Sequence, residues 1–214
     1  MRIDVKGTII SDDIAWIYDL FGESYTSPAK IHEALNEAGG EDVDIDINSY
    51  GGDVFAGSEI YSAIRTYPGS VKIHVVGLAA SAASVIACAA KSDISPTAQI
   101  MVHNVSTFAA GDHNEMDKTS RILKQANRAI AAAYVEKSGM SESDALQMMD
   151  VETWLTADDA VGYGLIDEIS QSHNAGTTGG TTDLNLVASA YGMLPASVIN
   201  KMQERRQSLI EYFT

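Results

Sequence analysis

Val71-Lys-Ile-His-Val-Val-Gly77-Leu-Ala-Ala-Ser81-Ala-Ala-Ser84 is the stretch that decides how this 214-residue chain reads. The apolar run Val71–Val76 predicts a strand, which empties into small residues before a helix over Ser81–Ala90. That arrangement puts a serine at a helix N-terminus, where free backbone N–H groups and the helix dipole favour negative charge. Acyl-transfer enzymes place a nucleophile and part of an oxyanion hole at such a point. The segment is not G-x-S-x-G, however, and small residues also let a helix pack close to a sheet. On these residues alone the commoner reading is structural, with Ser81 as an N-cap.

Outward from this stretch, strands and helices alternate, the pattern of an α/β fold with parallel pairing. Arg2–Ile10 reads as a strand, Ser11–Glu23 as a helix, and Ser27-Pro28 starts a helix that stops near Gly39-Gly40. Val43–Asn48 alternates strictly, as a half-buried strand does, then Asn48–Gly52 reads as a turn into a helix over Asp53–Tyr67. Gln99–Val102 is a short strand ending at His103. Helices follow over Glu115–Lys137 and Ser141–Met149, and a small helix over Thr156–Gly164 leads into Leu165–Ile169. Ser172–Thr182 is rich in Gly and Thr and nearly free of apolar residues, so a flexible linker is expected over residues 171–183. The segment 184–214 carries an amphipathic helix with Val198, Ile199, Met202, Leu209 and Ile210 as apolar positions. A helix that small cannot form a core alone.

Composition narrows the function classes. A net charge of −15 argues against nucleic acid and anionic membranes as partners. No apolar run reaches the length of a membrane span, and no signal-peptide pattern opens the chain. The one cysteine, Cys88, excludes an internal disulfide framework, fits a reducing cytoplasm and reads as a small core residue. Neither His-x-x-x-His nor a Cys/His cluster suggests a metal.

Two further elements bear on chemistry. Asn48-Ser-Tyr-Gly51-Gly52-Asp53 joins a strand to a helix, and paired glycines let backbone N–H groups approach a substrate closely. No P-loop Lys-Ser/Thr follows, so nucleotide binding is a weak reading, and a plain tight turn is at least as good. Of five histidines, only His103 stands at the C-terminal end of an expected strand, where open α/β sheets present their chemistry.

Taken in order, Ile47-Asn-Ser-Tyr-Gly-Gly52, Gly77-Leu-Ala-Ala-Ser81, Met101-Val-His103 and Trp154-Leu-Thr-Ala-Asp-Asp-Ala-Val-Gly-Tyr-Gly-Leu-Ile-Asp167 resemble the successive motifs of the Clp protease proteolytic subunit (ClpP) family. The resemblance covers about residues 2–170 and implies a ClpP/crotonase-like fold of repeated ββα units with a mostly parallel sheet. It implies a serine endopeptidase with Ser81 as nucleophile, His103 as general base, and the N–H groups of Gly52 and Ala82 as oxyanion hole. It implies neither cofactor nor metal. Ser84, one helical turn on, is the second candidate nucleophile. Where the family usually has the triad aspartate, this chain has Glu152, with Asp150 two residues earlier as the alternative acid.

Assembly into a ring is implied too, with the stripe Ile122, Ala126, Ala129, Ile130, Ala133 and Tyr134 either at an interface or packed on its own subunit. The chain begins almost at its first strand, without the longer segment that family members working with an ATP-driven unfoldase carry there. Together with the linker and last helix, this resembles phage or prophage head-maturation (prohead) proteases, which trim capsid and scaffold proteins. The expectation is proteolysis without a Clp ATPase, in the host cytoplasm or the procapsid. Two other classes stay open: a crotonase-like acyl-CoA enzyme, which needs no serine nucleophile, and a catalytically dead scaffold-binding ring.

Overall fold

Strand β3 (Val43–Gly52) shows how the sequence pattern becomes a sheet. Val43, Ile45, Ile47 and Ser49 point inward and are buried, while Asp44, Asn48 and Tyr50 stay exposed. Each fully buried isoleucine contributes about 1.5–3 kcal/mol of apolar burial, and Ile45, Ile47, Ile60, Ile73 and Ile86 meet in one core. The computed structural model describes residues 1–170, residue 195 and residues 198–205.

The strands are β1 (Arg2–Ile9), β2 (Tyr25–Thr26), β3, β4 (Val71–Ala80), β5 (Lys91–Ile94), β6 (Gln99–Val102), β7 (Thr153–Leu155) and β8 (Glu168–Ile169). The helices are α1 (Ala15–Phe21), α2 (Pro28–Ala38), α3 (Val54–Thr66), α4 (Ala82–Ala87), α5 (His113–Ser138), α6 (Glu142–Asp150) and α7 (Ala157–Gly162). Among the described residues they form one sheet in the order β2-β1-β3-β4-β5-β8, all parallel. Strand β4 forks. Its first half pairs with β5, and its last residues pair with β6, which in turn carries the antiparallel β7. This is the α/β architecture with a mostly parallel sheet that the sequence implies.

Several elements differ from the sequence reading. Asn48–Gly52 is not a turn: β3 runs on to Gly52, and a register shift after Ile47 absorbs the irregularity. Gly77–Ala80 likewise extends β4, because its last residues pair with β6, a pairing that local sequence does not announce. The helix expected over Ser11–Glu23 breaks into a 3-10 turn (Asp12–Ile14) and α1. Asp12 there is drawn to the start of α2, where its carboxylate accepts from the Ala29 N–H at 3.0 Å. Helix α4 ends at Ala87, and of Leu165–Ile169 only Glu168–Ile169 is strand.

Helix α5 ends on Gly139 in the left-handed conformation, and α6 is capped by Ser141, which accepts from the Asp144 N–H. The apolar stripe of α5 divides. Ile130, Ala133 and Tyr134 enter the chain's own core, while Ile122 remains about half exposed (54%). No helix among the described residues is long and apolar enough to cross a membrane. The expected linker lies outside the described residues, as does most of the segment 184–214, including Leu209 and Ile210. Residues 198–205 are helical, and Gln203 Nε2 approaches Asp13 Oδ2 at 3.4 Å.

Candidate active site

Ser81 stands between β4 and α4 with φ 55° and ψ −124°, a backbone conformation that costs a non-glycine residue about 1–3 kcal/mol. Although it occupies the N-cap position, its side chain caps nothing. The hydroxyl is instead bonded to His103, with Ser81 Oγ 2.7 Å from Nε2. The N-cap reading therefore fails, and the strained turn brings the Oγ to His103. The turn is tied from both sides: Ser81 N–H donates to Met101 O at 2.9 Å, and Ser81 O accepts from Ser84 N–H at 2.9 Å.

The glycine pair packs directly on this turn. A Cβ on Gly51 would lie 2.6 Å from Ala80 O, 2.7 Å from Ser81 Cβ and 2.9 Å from Ala82 N, and its φ is 92°. Only glycine fits there. The Ala82 N–H opens α4, so it belongs to the donors that have no acceptor within the helix. Gly52 ends β3 beside Ile9, with φ 148°.

His103 follows the last residue of β6, and the β6–β7 register fixes what lies across from it. Met101 pairs with Trp154 and Val102 with Thr153, so the next antiparallel position sets Glu152 beside His103. No hydrogen bond joins them among the described residues. Glu152 Oε1 accepts from Trp154 Nε1 at 3.2 Å, and its backbone is left-handed at φ 50°. Its negative charge still reaches the imidazole. Burial holds His103 below the ordinary histidine value of 6.5, and Glu152 offsets part of that fall. A neutral imidazole that close to a hydroxyl is able to take its proton.

Asp150 faces elsewhere. Its Oδ1 accepts from Asn104 Nδ2 at 2.7 Å, tying the segment before β7 to the residue after His103. Ser84 is buried, with its hydroxyl given to Ser81 O at 2.6 Å and bonded to Tyr134 Oη at 2.8 Å, so it offers no free nucleophile. The sequence presents Tyr134 only as part of an apolar stripe and Trp154 only within a motif, and it does not mark Asn104. Trp154 was within reach, since it lies two residues from Glu152 in an alternating stretch. Nothing local marks Tyr134, which comes from 50 residues away. Among the described residues no three His, Cys, Asp or Glu side chains are grouped so as to hold a metal.

A parallel α/β sheet that delivers a strained serine onto a histidine at the ends of adjacent strands has the form of a serine-hydrolase centre. The Clp protease family model matches residues 27–173, most of the chain, and the chain belongs to that family. It is similar to an ATP-dependent Clp protease proteolytic subunit of Bacteroides fragilis, 32% identical over 133 residues, covering 61% of this chain and 64% of that one. A second such relative, subunit 1 of Chlamydia abortus, is 35% identical over 133 residues, covering 60% and 69%. The match thus spans somewhat under two thirds of the Bacteroides relative's length. Among solved structures, a variant of ClpP1 from Listeria monocytogenes superimposes with a TM-score of 0.66 at 22% identity, covering 81% of this chain and 92% of that one. The likeness to that structure is one of fold.

Proposed function

We propose that this chain is a serine endopeptidase in which Ser81 is the nucleophile, His103 the general base and Glu152 the acid behind it. The observation that carries this reading is the 2.7 Å contact between Ser81 Oγ and His103 Nε2 on a strained turn. His103 takes the Ser81 proton as Oγ attacks the peptide carbonyl, and the tetrahedral oxyanion is held by the N–H groups of Gly52 and Ala82. Collapse of that intermediate passes the proton from His103 to the leaving amine, and water then releases the acyl group by the same route. Glu152 steadies the imidazolium, an assignment supported by the β6–β7 register and by its charge acting on His103.

The finer reading is a phage or prophage head-maturation protease that assembles into a ring, in a host cytoplasm or a procapsid. It would cut capsid or scaffold proteins with no Clp ATPase. It is supported by the family's proteolytic role together with the Gly/Thr-rich segment that leads to a last amphipathic stretch.

A fluorophosphonate probe tests the chemistry. It should label the wild-type protein and leave Ser81→Ala unlabelled. Labelling that survives Ser81→Ala overturns the nucleophile, and an unlabelled wild type favours an enolate-type or scaffold role. Stimulation of peptide hydrolysis by a Clp ATPase would overturn the finer reading.

A further inference from the structure

The strained turn at Ser81 is held by more than its own backbone. Ser81 O accepts twice from Ser84, from its N–H at 2.9 Å and from its hydroxyl at 2.6 Å. Because that hydroxyl has one proton and gives it to Ser81 O, the second contact of Ser84 Oγ, at 2.8 Å, must accept the Tyr134 hydroxyl proton. Tyr134 and Ser84 are both buried, 2% and 1% exposed, so no water competes for this chain of donors. Burial also drives the Tyr134 phenol far above its ordinary value, which favours the protonated hydroxyl that donates to Ser84.

We infer that Tyr134 and Ser84 are positioning residues for the proposed peptidase reaction: a Tyr134-to-Ser84-to-Ser81 hydrogen-bond relay clamps the Ser81 carbonyl and so holds Oγ toward His103. The inference rests on the reading of Ser81 as nucleophile. The physical case is one of strain and restraint. A serine with φ 55° and ψ −124° relaxes toward ordinary backbone angles unless its surroundings over-determine it. Rotating the turn back would swing the Ser81 carbonyl away from Ser84 and leave the buried Ser84 hydroxyl and N–H without their acceptor, which opposes the relaxation. A chain of polarised donors is also stiffer than either bond alone.

The anchor of the relay is α5, and the same side of that helix reaches the base. Asn127 lies seven residues before Tyr134, two helical turns away, and its Oδ1 accepts from the Val105 N–H at 2.8 Å, two residues past His103. One helix face therefore fixes both partners of the Ser81–His103 contact against a common body.

The test is the rate of phosphonylation of Ser81 by a fluorophosphonate, read with the thermal midpoint for each variant. Tyr134→Phe keeps the ring and its volume and removes only the hydroxyl. We expect it to slow labelling about threefold, and Ser84→Ala about tenfold, per folded molecule. The double variant should label no more slowly than Ser84→Ala, since Tyr134 acts on Ser81 only through Ser84. A purely structural role would lower the midpoints and leave the labelling rate of folded protein unchanged, and that result overturns the inference. So do effects that multiply in the double variant. Tyr134→Phe decides the matter even where Ser84→Ala does not fold. Wild-type protein that takes no label at all defeats the nucleophile assignment and the relay with it. Labelled wild type with both variants at its rate defeats the relay alone.

Discussion

The Glu152 carboxylate receives the Trp154 indole N–H at 3.2 Å, and not the imidazole of His103, the neighbour that strand register gives it. The Glu152 carboxylate is thus held by a side chain two residues further on, in the strand that Glu152 leads into.

Removing its charge should be costly. Glu152→Gln is expected to lower peptide hydrolysis by about 10²–10⁴, the range over which losing the orienting acid or the general base is felt. Asp150→Asn, which alters only a contact to Asn104, should cost under about tenfold. Measuring kcat for both variants on one peptide decides between the two acids, and a reversed order would move the role to Asp150.

The pH–rate profile should carry the mark of His103. The proposed base works only when neutral, and burial sets the proton affinity of His103 below the ordinary 6.5. Activity should therefore persist below pH 6.5 and fall off on the acid side at the lowered value. In Glu152→Gln the acid limb should shift further down, because the charge that raises the His103 pKa is gone. A limb that moves upward in the variant would contradict the electrostatic contact.

A second histidine should couple pH to stability. His74 Nδ1 lies 2.9 Å from Asp93 Oδ1, and Nε2 lies 3.0 Å from Asp44 Oδ1, with Lys72 also on Asp93. Burial lowers its pKa, but the hydrogen bonds and charges of Asp44 and Asp93 outweigh this and raise it above 6.5. The folded state thus holds the proton more tightly than the unfolded chain does. Its stabilisation is full below about pH 6.5, the unfolded value, and is lost as pH rises through the folded one. Thermal midpoints of wild type and His74→Gln should draw together as pH rises across this window. Parallel curves would remove His74 from the account.

Gly51→Ala should damage fold and site at once. The added methyl meets Ala80 O, Ser81 Cβ and Ala82 N inside 3 Å, at a φ that alanine avoids. A loss of about 1–3 kcal/mol or more in stability is expected, together with loss of fluorophosphonate labelling. Wild-type labelling in this variant would show that the glycine is not packed on the nucleophile turn.

Much of the fold was legible because its signals are local. The alternation of Val43–Asn48, the Pro28 start and Gly39 stop of α2, and the Ser141 cap of α6 each depend on a few adjacent residues. What escaped depends on distant partners. The extensions of β3 and β4 exist because neighbouring strands satisfy their backbone, and the short strands β5 and β7 have too few residues to show a period. At the site, His103 could be picked out because it ends a strand. The buried state of Ser84 could not, since the tyrosine that binds it sits in a helix 50 residues further on.

The fork of β4 has a consequence for how this scaffold can vary. The last residues of β4 pair with β6, and β6 with β7, so Ser81, His103 and Glu152 all sit at the ends of one small three-stranded ladder. Their spacing is written in ladder register and not in the lengths of the connections. The excursion between His103 and Glu152, which includes α5 and α6, leaves and re-enters that ladder at adjoining points. Insertions at the exposed tips of the excursion, such as the α5–α6 junction near Gly139, can therefore accumulate while the distance between His103 and Glu152 stays constant. In this architecture, outer shape and inner chemistry are free to diversify separately.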